Sequence, residues 1–386
     1  MMAQQEQSRG NISQRQSASG GPGHNNSVQE WLTTGPLRLL VALVVPLITF
    51  IVLWQSFIFM RDSDANKLIV GLVALIVGVG GVWALYIGTN YLIEQLPIRL
   101  RDALRPYLFV GPAMVILTVF LVYPALNTIY ISFLDARSNN FVGLDNYIFA
   151  FTDPNMQIAL RNNVLWIVLV TAIAVSFGLL IAVLSDRLRS WEETTAKTLI
   201  FLPMAISAVG AGVIWGFMYD AQPTTQNQIG LLNAIVVGLG GDPVRFLNDK
   251  AINNFALIFI QIWLLTGFCM VILSAAVKGV PDELLEAARI DGANETRIFF
   301  RILIPTIMPT IITVATTVFI IVLKVFDIVY VMTNGRRDTE VVANRMFNEF
   351  FKFGNFGHGS ALAVVLLLAV VPIIIANIRS LRERRS

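Results

Sequence analysis

Eight stretches of this chain are long and apolar enough to cross a lipid bilayer, at approximately 38–60, 68–92, 106–133, 163–184, 199–218, 254–276, 307–330 and 360–379. A bilayer core takes about 20 apolar residues as a helix. Inside it each backbone N–H and C=O must be paired without water, so the helix is the form these runs are expected to take. Composition agrees: 55% of residues are hydrophobic and 14% charged, against about 25% charged in a typical soluble domain. A soluble enzyme, a secreted disulfide scaffold and a disordered chain are excluded. The expected fold class is an all-α integral membrane protein with about eight transmembrane helices.

The first thirty residues are rich in Gln, Ser, Asn and Gly and hold no apolar h-region. They read as a disordered polar tail, 1–30, and not as a signal peptide. The formal net charge is +3, but Lys and Arg sit at the ends of apolar runs, which points to a membrane and away from nucleic acid. With both termini in the cytoplasm, the inside segments carry 17 Lys and Arg and the outside loops 10. The expected location is the cytoplasmic (inner) membrane, multi-pass, with both termini cytoplasmic. The last outside loop fits least well, because Arg336 and Arg337 lie close to the membrane.

Material for catalysis is scarce. Cys269 is the single cysteine, and His24 and His358 are the only histidines, so neither a disulfide nor a cysteine-pair metal site is available. No catalytic or metal residues are assigned, and no Gly-x-x-x-x-Gly-Lys-Ser/Thr phosphate loop occurs. Small residues recur at Gly80, Ala84 and Gly88 and at Ala208, Gly212 and Gly216, a spacing that lets membrane helices approach closely. Pro124 and Pro203 interrupt the third and fifth runs.

The loop 278–305 between the sixth and seventh runs carries the most information. Pro281 suits a first helical position, and Asp282 and Glu283 complement the helix dipole in the first turn. Leu284, Leu285, Ala287 and Ala288 make an apolar stripe, Gly292 supplies a left-handed cap, and Asn294 can cap a second helix. A headgroup anchor favours bulky apolar residues. Small Ala287 and Ala288 beside Glu286 and Arg289 suit a knob shaped for a protein groove.

This string, Glu286-Ala-Ala-Arg-Ile-Asp-Gly292 followed by Ile304-Pro305, resembles the coupling motif of binding-protein-dependent ABC importer permeases of the carbohydrate-uptake class. Four further strings agree in order: Phe141 to Tyr147, Phe201 to Pro203, Gln261 to Trp263 and Phe326 to Gly335. The likeness covers roughly 100–386 and is nearest to the maltose-permease type. A cyanobacterial permease for glucosylglycerol and other compatible solutes is similar in layout. Departures are the missing large periplasmic domain, two extra N-terminal spans, and Arg336-Arg337 after Gly335 in place of Gly-Pro.

The resemblance implies a type I core of six helices over 99–386, preceded by two extra helices over 31–98. It implies a non-enzymatic permease that moves a sugar or compatible solute (glucosylglycerol, sucrose, trehalose or maltose-like) through alternating access. Its partners would be a second permease subunit, two ATP-binding cassette subunits that bind the ATP and Mg, an extracytoplasmic solute-binding protein and the lipid bilayer. Loop 134–162 with 219–252 would dock the binding protein. The ATPase-coupling residues would be Glu286, Ala287, Ala288, Arg289, Asp291 and Gly292, with both alanines filling the ATPase groove. The solute path would use Gln261, Trp263, Thr266 and Phe268, and Lys324, Asp327 and Tyr330. Lys324 and Asp327 are expected three apart on one helical face, as a structural ion pair or beside the solute. The principal alternative is an ion-coupled secondary transporter built on that pair. A membrane enzyme or a scaffold is less well served by the sequence.

Overall fold

The computed structural model describes residues 36–62, 66–94 and 98–382. The polar tail read over 1–30 lies outside the described residues, as do the last four, 383–386. Among the described residues the structure is helix and turn, with one isolated antiparallel bridge between Leu134 and Phe141. All eight apolar runs fall mainly on helix, two of them interrupted. Six helices are long and apolar enough to cross a membrane, or seven if one bent pair counts as a single crossing; the 27-residue helix α1 (Pro36–Asp62) stands besides these.

The chain divides into two compact units, the first ending at Tyr123 and the second beginning at Pro124. The first holds α1, α2 (Lys67–Glu94) and α3 (Ile98–Leu117), then a π-helical turn over Thr118–Val122. Close approach of α1 and α2 falls at Gly81, where a Cβ would collide with Leu53, while Gly80 faces open space. The small-residue stripe therefore runs one residue away from the Gly80 register.

The second unit starts in the first turn of α4 (Tyr123–Ile131) and leads through a loop to α5 (Asp145–Thr152). The FVGLDNY string is a structural clasp for that loop. Buried Asn146 donates to the carbonyls of Ser132 (2.9 Å) and Leu134 (2.7 Å), and the Tyr147 hydroxyl meets Ser132 Oγ at 2.6 Å. Asp135 accepts from the backbone N–H of Asn139 and the side chain of Asn140, and these bonds hold its carboxyl below the usual range.

The core lies between α6 (Pro154–Ser185) and α10 (Asn253–Lys278). Asp153 caps α6 by accepting from Asn155 and Met156 N–H, with Pro154 in the first turn. The two helices touch backbone to side chain at Gly178, where a Cβ would stand 2.5 Å from Cys269 Cβ. Trp166, Val170, Ala174, Leu257, Met270 and Leu273 fill the seam.

The fifth apolar run is not one helix. α7 (Ser190–Phe201) tightens into a 3₁₀ turn, Leu202–Ala205, and α8 (Ala208–Met218) leaves at 99°. Pro203 opens that turn, and Ser207 caps α8 by accepting from Gly210 N–H. Gly267 lets α10 pass the break, since a Cβ there would be 2.5 Å from the Ile200 carbonyl oxygen. After α8, Asn233 in α9 (Leu231–Gly238) pins the connecting loop through Asp220 and Val244.

Loop 278–305 forms α11 (Asp282–Ile290) and α12 (Glu295–Ile298), then a π-helical turn, Phe299–Leu303, into α13 (Ile304–Leu323). The helix breaks at Lys324–Phe326 and resumes as α14 (Asp327–Met332). A tight loop, then α15 (Val342–Phe351) and α16 (Phe356–Arg382), complete the unit.

Candidate functional site

The hairpin between α10 and α13 matches its sequence signals at both turns. Gly292 takes φ +80°, the left-handed region a side chain avoids. Backbone N–H groups of Asp291, Gly292 and Ala293 bond back to Ala287, Arg289 and Ala288. Asn294 caps α12 by accepting from Arg297 N–H. Pro281 serves as the N-cap residue, one place earlier than expected.

One face of α11 turns inward through Leu285 and Ala288, and Val280 beside it is buried as well. The other face shows Glu283, Glu286, Ala287 and Ile290 to the outside, and Ile290 is 86% exposed. This corrects one expectation. Ala288 is 8% exposed and packs against its own chain, so it supports the knob from behind while Ala287 stands on its surface. At a helical period of 3.6, residues 287 and 288 lie about 100° apart, and the inward side takes one of them. Arg289 pairs with Glu295 at 3.0 Å across the turn, which pushes the guanidinium further up, and Arg187 reaches the same carboxylate at 2.8 Å. Nearby, Lys278 binds Glu193 (2.8 Å) and Asp186 (3.7 Å), and Lys197 bonds both Glu193 and Ser274.

The proposed path residues do not converge within this chain. Trp263 and Thr266 line a cavity of roughly 510 Å³ with Phe177, Pro203 and Phe259. Trp263 meets Trp215 edge-on at 5.6 Å, and Trp215 also contacts Phe259 and Tyr219. Sequence reasoning missed Trp215, whose buried indole N–H has no acceptor. Gln261 is buried and Phe268 half-buried against the core, and neither lines this cavity. Thr266 spends its hydroxyl on Ile262 O.

Lys324 and Asp327 are a second correction. The break at Lys324–Phe326 takes them off a common helical face, and no ion pair forms between them. The expected shared helical face and ion pair are therefore not met. Lys324 instead lines a cavity of roughly 550 Å³ with Phe326, Met346, Phe347 and Leu366. Tyr330 stacks on Phe326 (5.0 Å) and meets Phe347 edge-on (5.1 Å). Among the described residues no group of acidic, histidine or cysteine side chains could hold a metal ion.

The helix break exposes a set of asparagines that sequence reasoning overlooked. Asn163 donates to the freed carbonyl of Leu323 (3.0 Å) and accepts from Val342 N–H (2.9 Å). Asn162 donates to the carbonyls of Asp338 and Glu340, Asn253 to Arg337 and Asn254 to Asp338. All four are buried; Asn162, Asn253 and Asn254 clamp loop 333–341 onto α6 and the start of α10, and Asn163 ties the helix break to the start of α15. In a membrane bundle such amides replace the water that an interrupted helix would need.

A family model for the inner membrane component of binding-protein-dependent transport systems matches residues 174–385. The chain belongs to that family. The permease is 59% identical over 277 residues to the osmoprotective compounds uptake permease protein GgtC of Synechocystis sp., a match that covers 72% of this chain and 99% of the relative. It is 46% identical over 329 residues to the alpha-glucoside transport system permease protein AglF of Rhizobium meliloti, covering 82% and 97%. Its fold is that of a chain in the crystal structure of a bacterial ABC transporter involved in the import of the acidic polysaccharide alginate, with TM-score 0.64 and 21% identity over 74% of this chain and 99% of that one. The permease is thus a multi-pass, helical transmembrane subunit of an ABC importer.

Proposed function

We propose that this permease carries a sugar or sugar-like compatible solute, such as glucosylglycerol, sucrose, trehalose or a maltose-like oligosaccharide, into the cytoplasm. It works beside a second permease subunit, two cytoplasmic ATPases that bind the ATP and Mg, and an extracytoplasmic solute-binding protein. Both termini and the hairpin face the cytoplasm, and residues 31–98 add two helices to the core over 99–386. The solute assignment rests on the likeness to GgtC and AglF.

The observation that carries the coupling role is the outward stripe of α11, with Glu286 and Ala287 presented on a short helix whose opposite face is seated on its own chain. A carboxylate on such a knob suits a charge-assisted contact with an ATPase groove. Closure of the two ATPases displaces the hairpin. α10 and α13, joined to its two ends, transmit that motion to Trp263 and Thr266, where the Trp263 face suits a polyhydroxylated ring. The second subunit completes the cavity that this chain leaves open. Lys324 and Tyr330 border the path from α13–α14, and Asp327 opens α14.

The test is uptake of labelled solute into cells or proteoliposomes. Deleting the ATPases should abolish it, and a protonophore should act only as fast as ATP falls. Glu286→Lys should cut uptake at least tenfold with normal membrane insertion. Uptake that continues at full rate without the ATPases would sink the reading.

A further inference from the structure

The Arg336-Arg337 pair, which departs from the family pattern, sits at a built pocket. It lies at the end of the bundle opposite the hairpin and encloses roughly 260 Å³ between Asn155, Ile158, Gly335, Asp338, Glu340 and three arginines, 336, 337 and 345. Its two acidic groups each have partners, Glu340 lying against Gly335 in the pocket wall. Asp338 pairs with Lys250 at 2.7 Å. Glu340 accepts from Asn344 (2.6 Å) and from Val341 N–H, and burial holds its carboxyl above the usual range. The guanidinium groups are not matched in the same way. Arg337 bonds only the neutral amide oxygen of Asn248. Arg345 gives one terminal nitrogen to Glu349 (2.8 Å), while its Nε is buried with no acceptor. Arg336 is exposed and makes no ion pair among the described residues.

The floor of the pocket is rigid. Asn334, Gly335, Arg337 and Asp338 all have positive φ. For the three residues other than glycine this is a strained backbone. Asn162, Asn253 and Asn254 hold it in place. A strained loop clamped by buried amides, with the Arg336 guanidinium free of any ion pair among the described residues and Arg337 held only by an amide, is a preorganised receptor for an oxyanion, and guanidinium recognises a planar carboxylate through paired hydrogen bonds. Among the described residues Ile158 is the only apolar side chain that lines it, so the pocket offers no wall for an acyl chain.

We propose that this pocket receives a carboxylate side chain of the extracytoplasmic solute-binding protein and fixes its register on the permease. The inference rests on the partner set proposed above. It makes Arg336 the recognition residue, Arg337 and Arg345 the walls, and the asparagine clamp the support.

The test uses the assembled transporter with its ATPases in phosphatidylcholine nanodiscs, and its own solute-binding protein. Affinity is read by biolayer interferometry over a salt series, and ATPase activity is measured with and without the binding protein. Arg336→Glu should weaken binding at least tenfold and flatten its salt dependence, with basal ATPase activity unchanged. Arg336→Lys should recover part of the affinity. One acid-to-lysine reversal on the binding protein should restore the pairing to Arg336→Glu. Equal affinity and salt dependence for wild type and Arg336→Glu, with stimulation of the ATPase intact, would overturn the pocket and leave the importer reading standing. A difference seen only in nanodiscs with anionic lipid would assign the pocket to headgroup phosphate and overturn it too. A wild-type complex that never responds to the binding protein would overturn the partner set itself.

Discussion

The two ends of α10 and α13 are built on opposite principles. At one end the hairpin 279–303 is tied down by exposed ion pairs, Arg289–Glu295–Arg187, and by the partial burial of α11. At the other, buried amides hold loop 333–341 (Asn162, Asn253 and Asn254) and the flanking Leu323 carbonyl and Val342 N–H (Asn163). Exposed pairs are screened and individually weak. A buried amide that loses its partner costs the full desolvation of that group. The hairpin end can therefore be shifted at small cost, while the loop end resists. This suits a machine driven at one end and read out at the other.

The contrast breaks most visibly at Gly292. Proline there can neither adopt φ +80° nor donate to Arg289 O. Gly292→Pro should lower uptake more than tenfold while the chain still inserts, and Gly292→Ala, which meets open space, should lose much less. Uptake unaffected by the proline would show that the turn transmits nothing. The next effect is on stability. Asn163→Ala leaves the Leu323 carbonyl and the Val342 N–H unsatisfied, at about 1–3 kcal/mol each. The solubilised complex should lose several degrees in thermal inactivation, and an unchanged midpoint would mean that water replaces the amide. Glu295→Gln at the hairpin should leave that midpoint nearly untouched but make ATP-driven uptake less sensitive to added salt, because the screened pairs are gone. A drop as large as that of Asn163→Ala would erase the distinction between the two ends.

The smallest effect is in pH. Burial raises the Glu340 carboxyl, against hydrogen bonds from Asn344 and Val341 N–H that oppose it. The folded state keeps its proton where the unfolded chain has lost it. Stability from this group is therefore full below the ordinary carboxylate range, falls as pH rises from there through the raised value, and is level above it. Glu340→Gln should flatten that slope in melting curves, and an identical slope would show that Glu340 titrates normally.

The hairpin was legible because its signals are local. Caps, a left-handed glycine and first-turn acids act within a few residues. The side of α11 on which Ala288 lies was not legible, since that depends on what waits behind it. Pro203 hinted at the break between α7 and α8, but its 99° angle depends on Gly267 in a distant helix. The break at Lys324–Phe326 gave no local warning, because neither glycine nor proline marks it. It survives through Asn163, 160 residues earlier in the chain. Asparagines in apolar runs look like blemishes until their carbonyl partners are seen. Lys324 and Asp327 were misjudged for the same reason: a spacing of three means one face only while the helix continues.

The contact of Gly178 with Cys269 and Met270 has a consequence for how the molecule can bend. It leaves no room for sliding between α6 and α10, so the two helices travel together as a single mast. The 26 residues of α10 make it about 39 Å tall. A push delivered at Lys278 arrives at Asn253 as a tilt of the whole mast, and the joints that take up the difference are the two interrupted crossings beside it.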